Sequence, residues 1–483
     1  MLMTTFYLPV DRSGGVPLHR QIYRELRRAI LDGKLRPGQR IPSTRALSLD
    51  LEVSRQPVLA AYEQLLHEGY LDGRLGSGTF VCAALPDELL QTTAKRADAR
   101  AAALRPARQR PVNDDVGLGP FRMSLPALDS FPHVLWARLL ARHARALTQA
   151  QMAYGDPAGI MPLRAAVAEH LRAARGVNCE AGQVLIVSGS QAALRVAAAV
   201  LLERNDLVAM EEPGYPGARA AFRAAGATVR AVPVDEEGMD VAALQRLRGK
   251  VRATYVTPSH QYPLGTTMTA ARRLALLDWA HQKGAWVLED DYDSEYRYVS
   301  RPLGALQGMD AHGRVIYIGT FSKVLFPSVR VGYLVVPPSL WRRFVEARMA
   351  LDLFSPTLYQ LALVEFLRES HFSRHLRRMR GVYLQRRNAL LAGLGQHCAD
   401  YITVYNADAG LHIAILLADG LDDSDVVRRM TSRGLTATAL STCYGEQGRR
   451  SGLLLGFGGS NEQRLFEATR VLGEVLIKAA TPL

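Results

Sequence analysis

The sequence predicts an α/β protein made of a small helical N-terminal module and a large α/β domain. Three short helical patterns and a glycine-rich turn occupy residues 15–82. Residues 83–113 are rich in Ala, Arg and Pro and lack an apolar stripe, and from 114 to 480 short apolar runs alternate with helical patterns. We therefore expect a first domain over 15–82, a linker over 83–113 and a second domain over 114–480.

The composition limits the partners of the chain and its compartment. The 483 residues carry a formal net charge of +13, which suits a partner that carries phosphate groups. The four cysteines are widely separated and show no CxxC spacing, so we expect neither a disulfide framework nor a metal site. We find no secretion signal and no apolar run of about 18 residues, which predicts a soluble, cytoplasmic chain with no membrane partner.

The first module has the pattern of three helices followed by a hairpin. An amphipathic helix is predicted over residues 17–32. Ser43 and Ser54 are placed to cap the two helices that follow. A glycine-rich turn over 73–78 then separates two short apolar segments and predicts a hairpin. These are the parts of a winged helix-turn-helix, whose third helix enters the major groove of DNA.

Polar and basic residues mark the surface with which such a module contacts DNA. The first residues of the third helix come within reach of base edges, and the second helix and the wing tip come within reach of phosphates. The candidate DNA-binding residues are Ser43, Arg45, Ser54, Arg55, Gln56, Gly76, Ser77 and Gly78. We expect double-stranded DNA as a partner.

The same segment resembles the GntR family of bacterial winged-helix regulators. The motifs that carry the resemblance are Leu18-x3-Ile22, Pro37-Gly38-x2-Ile41-Pro42-Ser43-x-Arg45-x-Leu47, Val53-Ser54-Arg55, Ala61-Tyr62-x2-Leu65-x3-Gly69-Tyr70 and Gly76-Ser77-Gly78-Thr79-Phe80-Val81. The resemblance implies a DNA-binding regulator. One departure is Pro57, which stands where the family usually has a hydroxyl residue and removes a DNA contact there.

Apolar runs in the second domain predict the strands of one mostly parallel, seven-stranded sheet. They are separated by segments of helical pattern, and such crossovers place helices on both faces of a sheet. The runs span residues 184–188, 207–211, 228–234, 253–257, 285–289, 315–319 and 331–336. Beyond residue 355, long helices and a few strands predict a smaller α+β subdomain.

One of the few lysines of the chain follows a predicted strand. Six of the 59 basic residues are lysines, and Lys323 ends the sequence Gly319-Thr320-Phe321-Ser322-Lys323. An amine forms imines, which a guanidinium does not. Groups suited to hold a phosphate lie beside it or at the start of a helix after the first strand: Thr320, Ser322, Arg330, Ser190 and Gln191.

Two other strand ends carry groups suited to an aromatic cofactor. Asp290 is placed to face a pyridine nitrogen, and Tyr292, two residues on, lies on the same side and donates to a ring oxygen. Tyr215 follows a third strand and is suited to stack on the ring. Together these groups predict a pyridoxal 5'-phosphate site with Lys323 as the Schiff-base lysine.

The order of these motifs resembles the fold-type-I aminotransferases. The matching motifs are Tyr154-Gly155-x3-Gly159-x3-Leu163-Arg164, Ser188-Gly189-Ser190-Gln191, Glu212-Pro213-x-Tyr215, Pro258-x4-Pro263-x-Gly265, Asp290-x-Tyr292 and Ser322-Lys323-x6-Arg330-x-Gly332. A GntR-like module joined to such a domain is similar to the MocR family of bacterial regulators. The resemblance implies a fold-type-I aminotransferase-like domain that binds pyridoxal phosphate. It also implies a domain-swapped homodimer, in which Tyr154 reaches the phosphate of the other subunit.

Two positions depart from the aminotransferase pattern. Tyr262 stands where those enzymes carry the Asn of Asn-Pro-x-Gly, so His260 or Gln261 is expected to replace its contact with the ring oxygen. Leu454 aligns with the Arg that clamps the substrate carboxylate. The candidate replacements for that clamp are Arg219, Arg449 and Arg450.

These features leave three interpretations of function. The first is a transcription regulator that binds promoter DNA and senses pyridoxal phosphate, or an amine or amino-acid effector, through the imine on Lys323. The second is an active aminotransferase, against which Leu454 argues because no guanidinium positions the carboxylate. The third is a regulator whose site no longer holds the cofactor. The sequence favours the first, with the aminotransferase-like domain used for sensing.

Overall fold

The computed structural model describes residues 8–11, 15–74, 77–83, 85, 118–298, 304–445 and 449–480. The chain forms two compact units, Met1–Asp115 and Val116–Leu483. The linker predicted over 83–113 lies almost entirely outside the described residues, as does Gly76, so both stay predictions. Among the helices of the described segments, none combines the length and the apolar character that a membrane crossing requires.

Three helices and a two-stranded hairpin form the first unit, as predicted. They are α1 (Leu18–Leu31), α2 (Thr44–Asp50), α3 (Arg55–His67), β1 (Leu71–Arg74) and β2 (Gly78–Val81). Ile22, Val58 and Leu65 are fully buried in one apolar cluster, since each lies on the inner face of its amphipathic helix. The two strands pair antiparallel, with Leu71 opposite Val81. The winged helix-turn-helix prediction is confirmed.

The two serines predicted to cap helices behave differently. The Ser43 hydroxyl accepts a hydrogen bond from the Ala46 N–H at 3.1 Å, in the first turn of α2. Ser54 precedes α3 with an extended backbone, but its side chain makes no capping hydrogen bond. The predicted side-chain cap is therefore confirmed for α2 and wrong for α3.

An eight-stranded sheet forms the centre of the second unit, one strand more than predicted. In order across the sheet, the strands are β3 (Val184–Val187), β10 (Gly332–Val335), β9 (Val315–Thr320), β8 (Trp286–Asp291), β7 (Val251–Val256), β4 (Leu207–Glu212), β5 (Thr228–Asp235) and β6 (Gly238–Met239). The strands from β9 to β5 are parallel, whereas β10 and β6 pair antiparallel with their neighbours. The additional strand, β6, has two residues and is too short to give a periodic pattern.

Helices cover both faces of this sheet. Val184 and Ile186 of β3 belong to one apolar cluster, whereas Leu185 and Val187 belong to another, as expected for a strand buried on both faces. The helices are α4 (His133–Arg145), α5 (Gln149–Met152), α6 (Met161–Arg175), α7 (Ser190–Leu201), α8 (Pro216–Ala224), α9 (Val241–Gln245), α10 (Ala270–Lys283), α11 (Trp341–Asp352) and α12 (Thr357–Arg368).

A smaller α+β subdomain follows, as predicted. Its elements are α13 (His371–His397), β11 (Ile402–Tyr405), β12 (His412–Leu417), α14 (Asp423–Thr431), β13 (Thr438–Ala439), β14 (Gly452–Gly456) and α15 (Glu462–Ala480). The strands form an antiparallel sheet in the order β11-β12-β14-β13. Helices α13 and α15 approach closely, because a Cβ at Gly393 would lie only 2.3 Å from Thr469 Oγ1.

Strand direction brings several chain segments to one edge of the large sheet. Strand β8 ends at Asp291, β9 ends at Thr320, and the loop after β4 continues to Tyr215. Strand β3 is antiparallel to β10, so it runs in the same direction as β9 and ends at the same edge. Gly189, with φ 93°, turns the chain there from β3 into α7. Ligand sites of open α/β sheets lie at this carboxyl edge.

Replacing Ser43 with Ala should lower the free energy of unfolding of the first unit by about 1 kcal/mol, because an N–H at the start of α2 loses its partner. Ser54→Ala is the matched control, since Ser54 is exposed and makes no cap bond; we expect a change below about 0.5 kcal/mol. Hydrogen exchange of the first-unit amides in the full-length chain measures both changes. Equal losses would contradict the assignment of the cap.

Candidate functional site

The first unit exposes the residues predicted to contact DNA. Arg55 and Gln56 form the first residues of α3, and Arg55 Nε donates to Thr44 Oγ1 at 3.2 Å, which connects the start of α3 to α2. The described members of the predicted set are all exposed: Ser43, Arg45, Ser54, Arg55, Gln56, Ser77 and Gly78. Their donors and positive charge are therefore accessible to a partner.

Sequence reasoning missed one basic residue beside the wing. Arg40 is exposed, and its backbone forms a β-bridge with Phe80 in β2. Gly78 has φ 109°, and a Cβ there would lie 2.8 Å from Arg40 Nε. The guanidinium therefore lies against the wing strand. This placement depends on pairing between two separate segments, for which hydrophobic periodicity gives no signal.

A small cavity lies where the strands of the large sheet end. Its volume is about 70 Å³. Five residues that were predicted to bind the cofactor line it: Ser190, Tyr215, Asp290, Tyr292 and Lys323. The other lining residues are Ser124, Tyr255, Tyr262, Asp293, Leu411 and His412. An amine, two carboxylates and four phenols thus converge on one cavity.

The Lys323 amine is held in an environment that favours its neutral form. Its Nζ donates to the carbonyl oxygen of Ser124 at 3.2 Å. Burial lowers the pKa of the amine to about 8, although the carboxylates of Asp293 and Asp290 oppose this shift. An amine with this pKa is roughly one tenth free base at pH 7, far more than an ordinary lysine, and the free base is the nucleophile. Lys323 is therefore suited to attack a carbonyl group.

Asp290 presents one carboxylate oxygen to the cavity without a partner. The Tyr255 hydroxyl donates to Asp290 Oδ2 at 2.7 Å, whereas Oδ1 is buried and makes no hydrogen bond within the described chain. Burial raises the pKa of Asp290 to about 7, and the bond from Tyr255 opposes this shift. A buried acceptor without a partner is costly, and a pyridine N–H would satisfy it. Asp290 therefore fits the predicted role toward a protonated ring nitrogen.

Three tyrosines form an aromatic wall around the cavity. The rings of Tyr215 and Tyr262 have centroids 5.4 Å apart, and those of Tyr262 and Tyr292 have centroids 6.0 Å apart. Gln191 Nε2 donates to the Tyr215 hydroxyl at 3.0 Å and fixes the position of that ring. Gln191 thus supports the aromatic wall, a contact that the sequence did not predict.

The turn between β3 and α7 has the features expected of an anion-binding site. Arg330 has a left-handed backbone with φ 51° and lies against Gly189, where a Cβ would be 3.3 Å from its Nη1. Thr320 is buried, and its hydroxyl accepts from the Ser322 N–H at 3.1 Å. A helix N-terminus next to a guanidinium attracts a phosphate. Together with Asp290 and Lys323, these residues fit pyridoxal phosphate.

The proposed replacements for the carboxylate clamp do not line this cavity in the described segments. Leu454 is fully buried in a small apolar cluster with Leu440 and Cys443. Arg219 pairs with Glu212. Arg450 borders a different, larger cavity of about 810 Å³, and Arg449 donates to the Gly445 carbonyl oxygen at 3.0 Å. Among the described residues, none of these three arginines lines the cavity, so the geometry gives no support to them as replacements for the clamp.

Of the two candidates to replace the missing Asn, only His260 lies near the ring site. Gln261 donates to the Pro213 carbonyl oxygen at 2.8 Å and accepts from the Leu264 N–H at 3.0 Å, so it supports the loop. His260 Nδ1 lies 3.1 Å from the Tyr292 hydroxyl and 2.9 Å from Asp293 Oδ1.

Asp293 and His412 were missed, because they are brought to His260 from separate segments of the chain. His260, Asp293 and His412 offer ligand atoms within 4.8 Å of one another. However, His260 Nδ1 is already bonded to Asp293, and His412 Nε2 lies 3.0 Å from the Pro263 carbonyl oxygen. We therefore treat the cluster as a hydrogen-bonded network.

Tyr154 lies outside the cavity lining of its own chain in the described residues. It is 86% exposed, and its ring centroid lies 6.1 Å from that of Phe354. Its predicted contact with the phosphate of another subunit remains untested.

In the cofactor-free protein, the Lys323 amine should react with acetic anhydride with a midpoint near pH 8, because its pKa is lowered to about 8. Below this pH the amine is protonated and unreactive; above it the free base reacts. Asp290→Asn should lower the midpoint further, since it removes a charge that favours protonation. Pulse labelling with mass spectrometry measures the profile, with the exposed Lys250 as the internal comparison. Identical midpoints for both lysines would contradict this assignment.

Comparisons with known proteins match two parts of the chain to two different families. Residues 18–81 match the profile of the bacterial regulatory proteins of the gntR family. Residues 128–450 match the profile of aminotransferase class I and II. Among solved structures, the α-aminoadipate aminotransferase LysN from Thermus thermophilus is 31% identical with a TM-score of 0.70, covering 74% of this chain and 92% of that one. The kynurenine aminotransferase of Pyrococcus horikoshii is 27% identical with a TM-score of 0.73, covering 81% and 100%.

Curated relatives match both units at once. The probable rhizopine catabolism regulatory protein MocR of Rhizobium meliloti is 40% identical over 96% of this chain and 95% of its own length. The pyridoxine biosynthesis transcriptional regulator PdxR of Corynebacterium glutamicum is 36% identical over 92% and 93%. The chain therefore belongs to the MocR-type transcription regulators of the gntR family, which join a winged helix-turn-helix to an aminotransferase-like domain.

Proposed function

We propose that the first unit binds promoter DNA and that the second senses pyridoxal 5'-phosphate itself, or an amine or amino-acid effector, through an imine on Lys323. The observation that carries this proposal is that Lys323 and Asp290 line the same cavity. Asp290 Oδ1 is buried there and has no hydrogen-bond partner in the described chain. We assign residues 15–82 to DNA binding, 83–113 to the linker and 114–480 to cofactor binding. The relatives' names point to different signals, pyridoxine biosynthesis and rhizopine catabolism, and do not select one.

The predicted cofactor-binding residues divide the roles in this proposal, and Gln191, which also holds the Tyr215 ring, has two of them. Lys323 supplies the amine, Asp290 faces the pyridine nitrogen, Tyr292 donates to the ring oxygen and Tyr215 stacks on the ring. The phosphate is assigned to Ser190, Gln191, Thr320, Ser322 and Arg330. Bound pyridoxal phosphate supplies an aldehyde carbon that amines can occupy reversibly. An effector amine thus competes with Lys323 for one carbon, and the lysine changes its charge and contacts when it is displaced.

Aminotransferase activity is the second candidate, favoured by the likeness to solved aminotransferases. A substrate amino acid needs its carboxylate held in place, commonly by a bidentate guanidinium. Leu454 occupies the expected position of that arginine, and the described residues that line the cavity include no arginine. We therefore assign sensing rather than sustained turnover to this domain.

We also propose that the chain acts as a domain-swapped homodimer, with Tyr154 completing the phosphate site of the other subunit. Tyr154 is 86% exposed, and the apolar side chains of Met152 and Leu353 are 65% and 54% exposed. The Tyr154 ring lies beside that of Phe354, which follows Leu353 in the chain, so these exposed groups are neighbours and suit a surface that a partner covers. A second copy of the chain is the partner that the resemblance to aminotransferases implies.

Operator binding should change when pyridoxal phosphate or a specific amine is added, because the cofactor would bind through the Lys323 nitrogen and an amine would compete with that nitrogen for the cofactor's aldehyde carbon. Lys323→Ala should keep its DNA affinity in the absence of ligand and lose the response. Fluorescence anisotropy with a duplex from the region upstream of the gene measures the affinity, and a visible absorbance band of the purified protein reports the imine. If the DNA affinity of the Lys323→Ala protein changed with ligand as that of the original chain does, the sensing proposal would be wrong.

Arg55→Ala should weaken binding to a cognate duplex by about 1–3 kcal/mol, since an exposed guanidinium at the start of α3 is placed for base or phosphate contact. Arg28→Ala is the control, because Arg28 is exposed on α1 and pairs with Asp32 at 3.8 Å. Anisotropy at several salt concentrations separates a phosphate contact, which reduces the salt slope, from a base contact. Equal effects of the two substitutions would contradict the assignment of α3.

A further inference from the structure

His260 lies between Tyr292, which lines the cavity, and the buried carboxylate of Asp293. Its Nδ1 is 3.1 Å from the Tyr292 hydroxyl oxygen and 2.9 and 3.1 Å from the two oxygens of Asp293. His260 and Asp293 are each 2% exposed. One ring nitrogen therefore contacts a phenol and a carboxylate at the same time.

A single nitrogen serves these two partners in only one favourable way. If Nδ1 carries a proton, it donates to Asp293, and a hydrogen bond to a carboxylate is roughly twice as strong as a neutral one. If Nδ1 were instead an acceptor, it would take the Tyr292 proton and leave its lone pair facing a buried carboxylate, which is repulsive. The Asp293 charge therefore selects protonated Nδ1. The Tyr292 hydroxyl proton then has no acceptor at Nδ1, the His260 atom nearest to it, and is directed into the cavity that Tyr292 lines.

Two glycines, Gly410 and Gly265, leave room for the His260 imidazole beside Asp293. A Cβ at Gly410 would lie 2.1 Å from His260 Cε1 and 2.5 Å from Asp293 Oδ2, and Gly410 has φ 76°. A Cβ at Gly265, with φ 77°, would lie 3.2 Å from His260 Nε2. A side chain at Gly410 would displace both His260 and Asp293, and one at Gly265 would crowd the imidazole, so the contact depends on two glycines in the left-handed region.

The neighbouring histidine, His412, does not take the place of His260 as the hydrogen-bond partner of Asp293. His412 has its ring centroid 5.3 Å from that of His260, and its Nε2 lies 3.0 Å from the Pro263 carbonyl oxygen. Burial lowers the pKa of His412 to about 4, so this ring is neutral at physiological pH. His260 is thus the one histidine of the described cluster that is hydrogen-bonded to the carboxylate.

We propose that His260 and Asp293 form a positioning pair that fixes the Tyr292 phenol as a hydrogen-bond donor into the Lys323 cavity, toward the ring oxygen of bound pyridoxal phosphate. The pair does indirectly what the Asn missing at Tyr262 does directly in aminotransferases. The inference rests on the proposed function, since it assumes that the cavity holds this cofactor. His260 acts through Tyr292 and does not itself line the cavity in the described residues.

A double-mutant cycle on cofactor affinity tests the coupling. Tyr292→Phe should weaken pyridoxal phosphate binding by about tenfold to a hundredfold, the value of one hydrogen bond to a charged group. His260→Leu should weaken cofactor binding to a similar degree. The double variant should bind the cofactor with an affinity within about threefold of that of Tyr292→Phe alone. His260→Asn keeps an N–H near the Nδ1 position and should recover much of the loss. The proposal would be overturned if the affinity losses of the two single variants multiplied in the double variant. It would also be overturned if His260→Asn recovered none of the affinity.

The tautomer is tested separately, without any cofactor. With histidine labelled by ¹⁵N, the NMR spectrum should show one protonated Nδ1 with a strongly deshielded proton that disappears in His260→Asn and shifts upfield in Asp293→Asn. His281→Leu, which removes an exposed histidine, is the matched control and should leave that signal and the cofactor affinity unchanged. An unprotonated His260 Nδ1 would overturn the proposal even if the cofactor binds. If the original chain binds no pyridoxal phosphate but shows this signal, the proposed function fails and the His260–Asp293 contact stands.

Discussion

The second unit is organised around one electrostatic constraint: a lysine amine and two carboxylates must share a cavity that is largely removed from water. Each charge would be costly to bury alone. Asp290 and Asp293 offset part of that cost for Lys323 through space, and Tyr255 and His260 each donate to one of the carboxylates. Burial still lowers the pKa of the lysine, and one Asp290 oxygen has no hydrogen-bond partner among the described residues. The cavity is chemically incomplete by itself, which is the property expected of a binding site.

The sheet satisfies this constraint because its strands place the charged groups, which come from separate segments of the chain, at one edge. Asp290 comes from β8, Lys323 from the loop after β9, and Tyr255 from β7, which lies next to β8. Rigid strands fix the backbone of each group before any ligand arrives, so little ordering remains to be done on binding. The first unit carries no comparable network in its described part and instead presents exposed donors on a small apolar core.

Much of this arrangement follows from local sequence patterns, and the exceptions share a cause. The runs at 184–188 and 315–319 became β3 and β9 because continuous apolar segments mark strands buried on both faces. Asp290, Tyr292 and Lys323 were found because they lie at or just after the ends of such strands. Asp293, His412 and Arg40 were missed because each gains its role from a contact across the fold, and β6 was missed because two residues have no period. Ser54 shows the opposite error, a residue of the right type whose side chain makes no capping hydrogen bond.

The close approach of Arg330 to Gly189 has a genetic consequence. Every missense change of a glycine codon adds a Cβ, and at this position a Cβ would press on the guanidinium at 3.3 Å from a backbone with φ 93°. Under the proposed function, all such alleles should damage the phosphate seat while leaving the winged helix intact. The resulting regulator would still bind its operator but would no longer respond to its effector. In a genetic screen such alleles would be dominant over the original gene if mixed dimers form, a behaviour that deletions of the gene would not share.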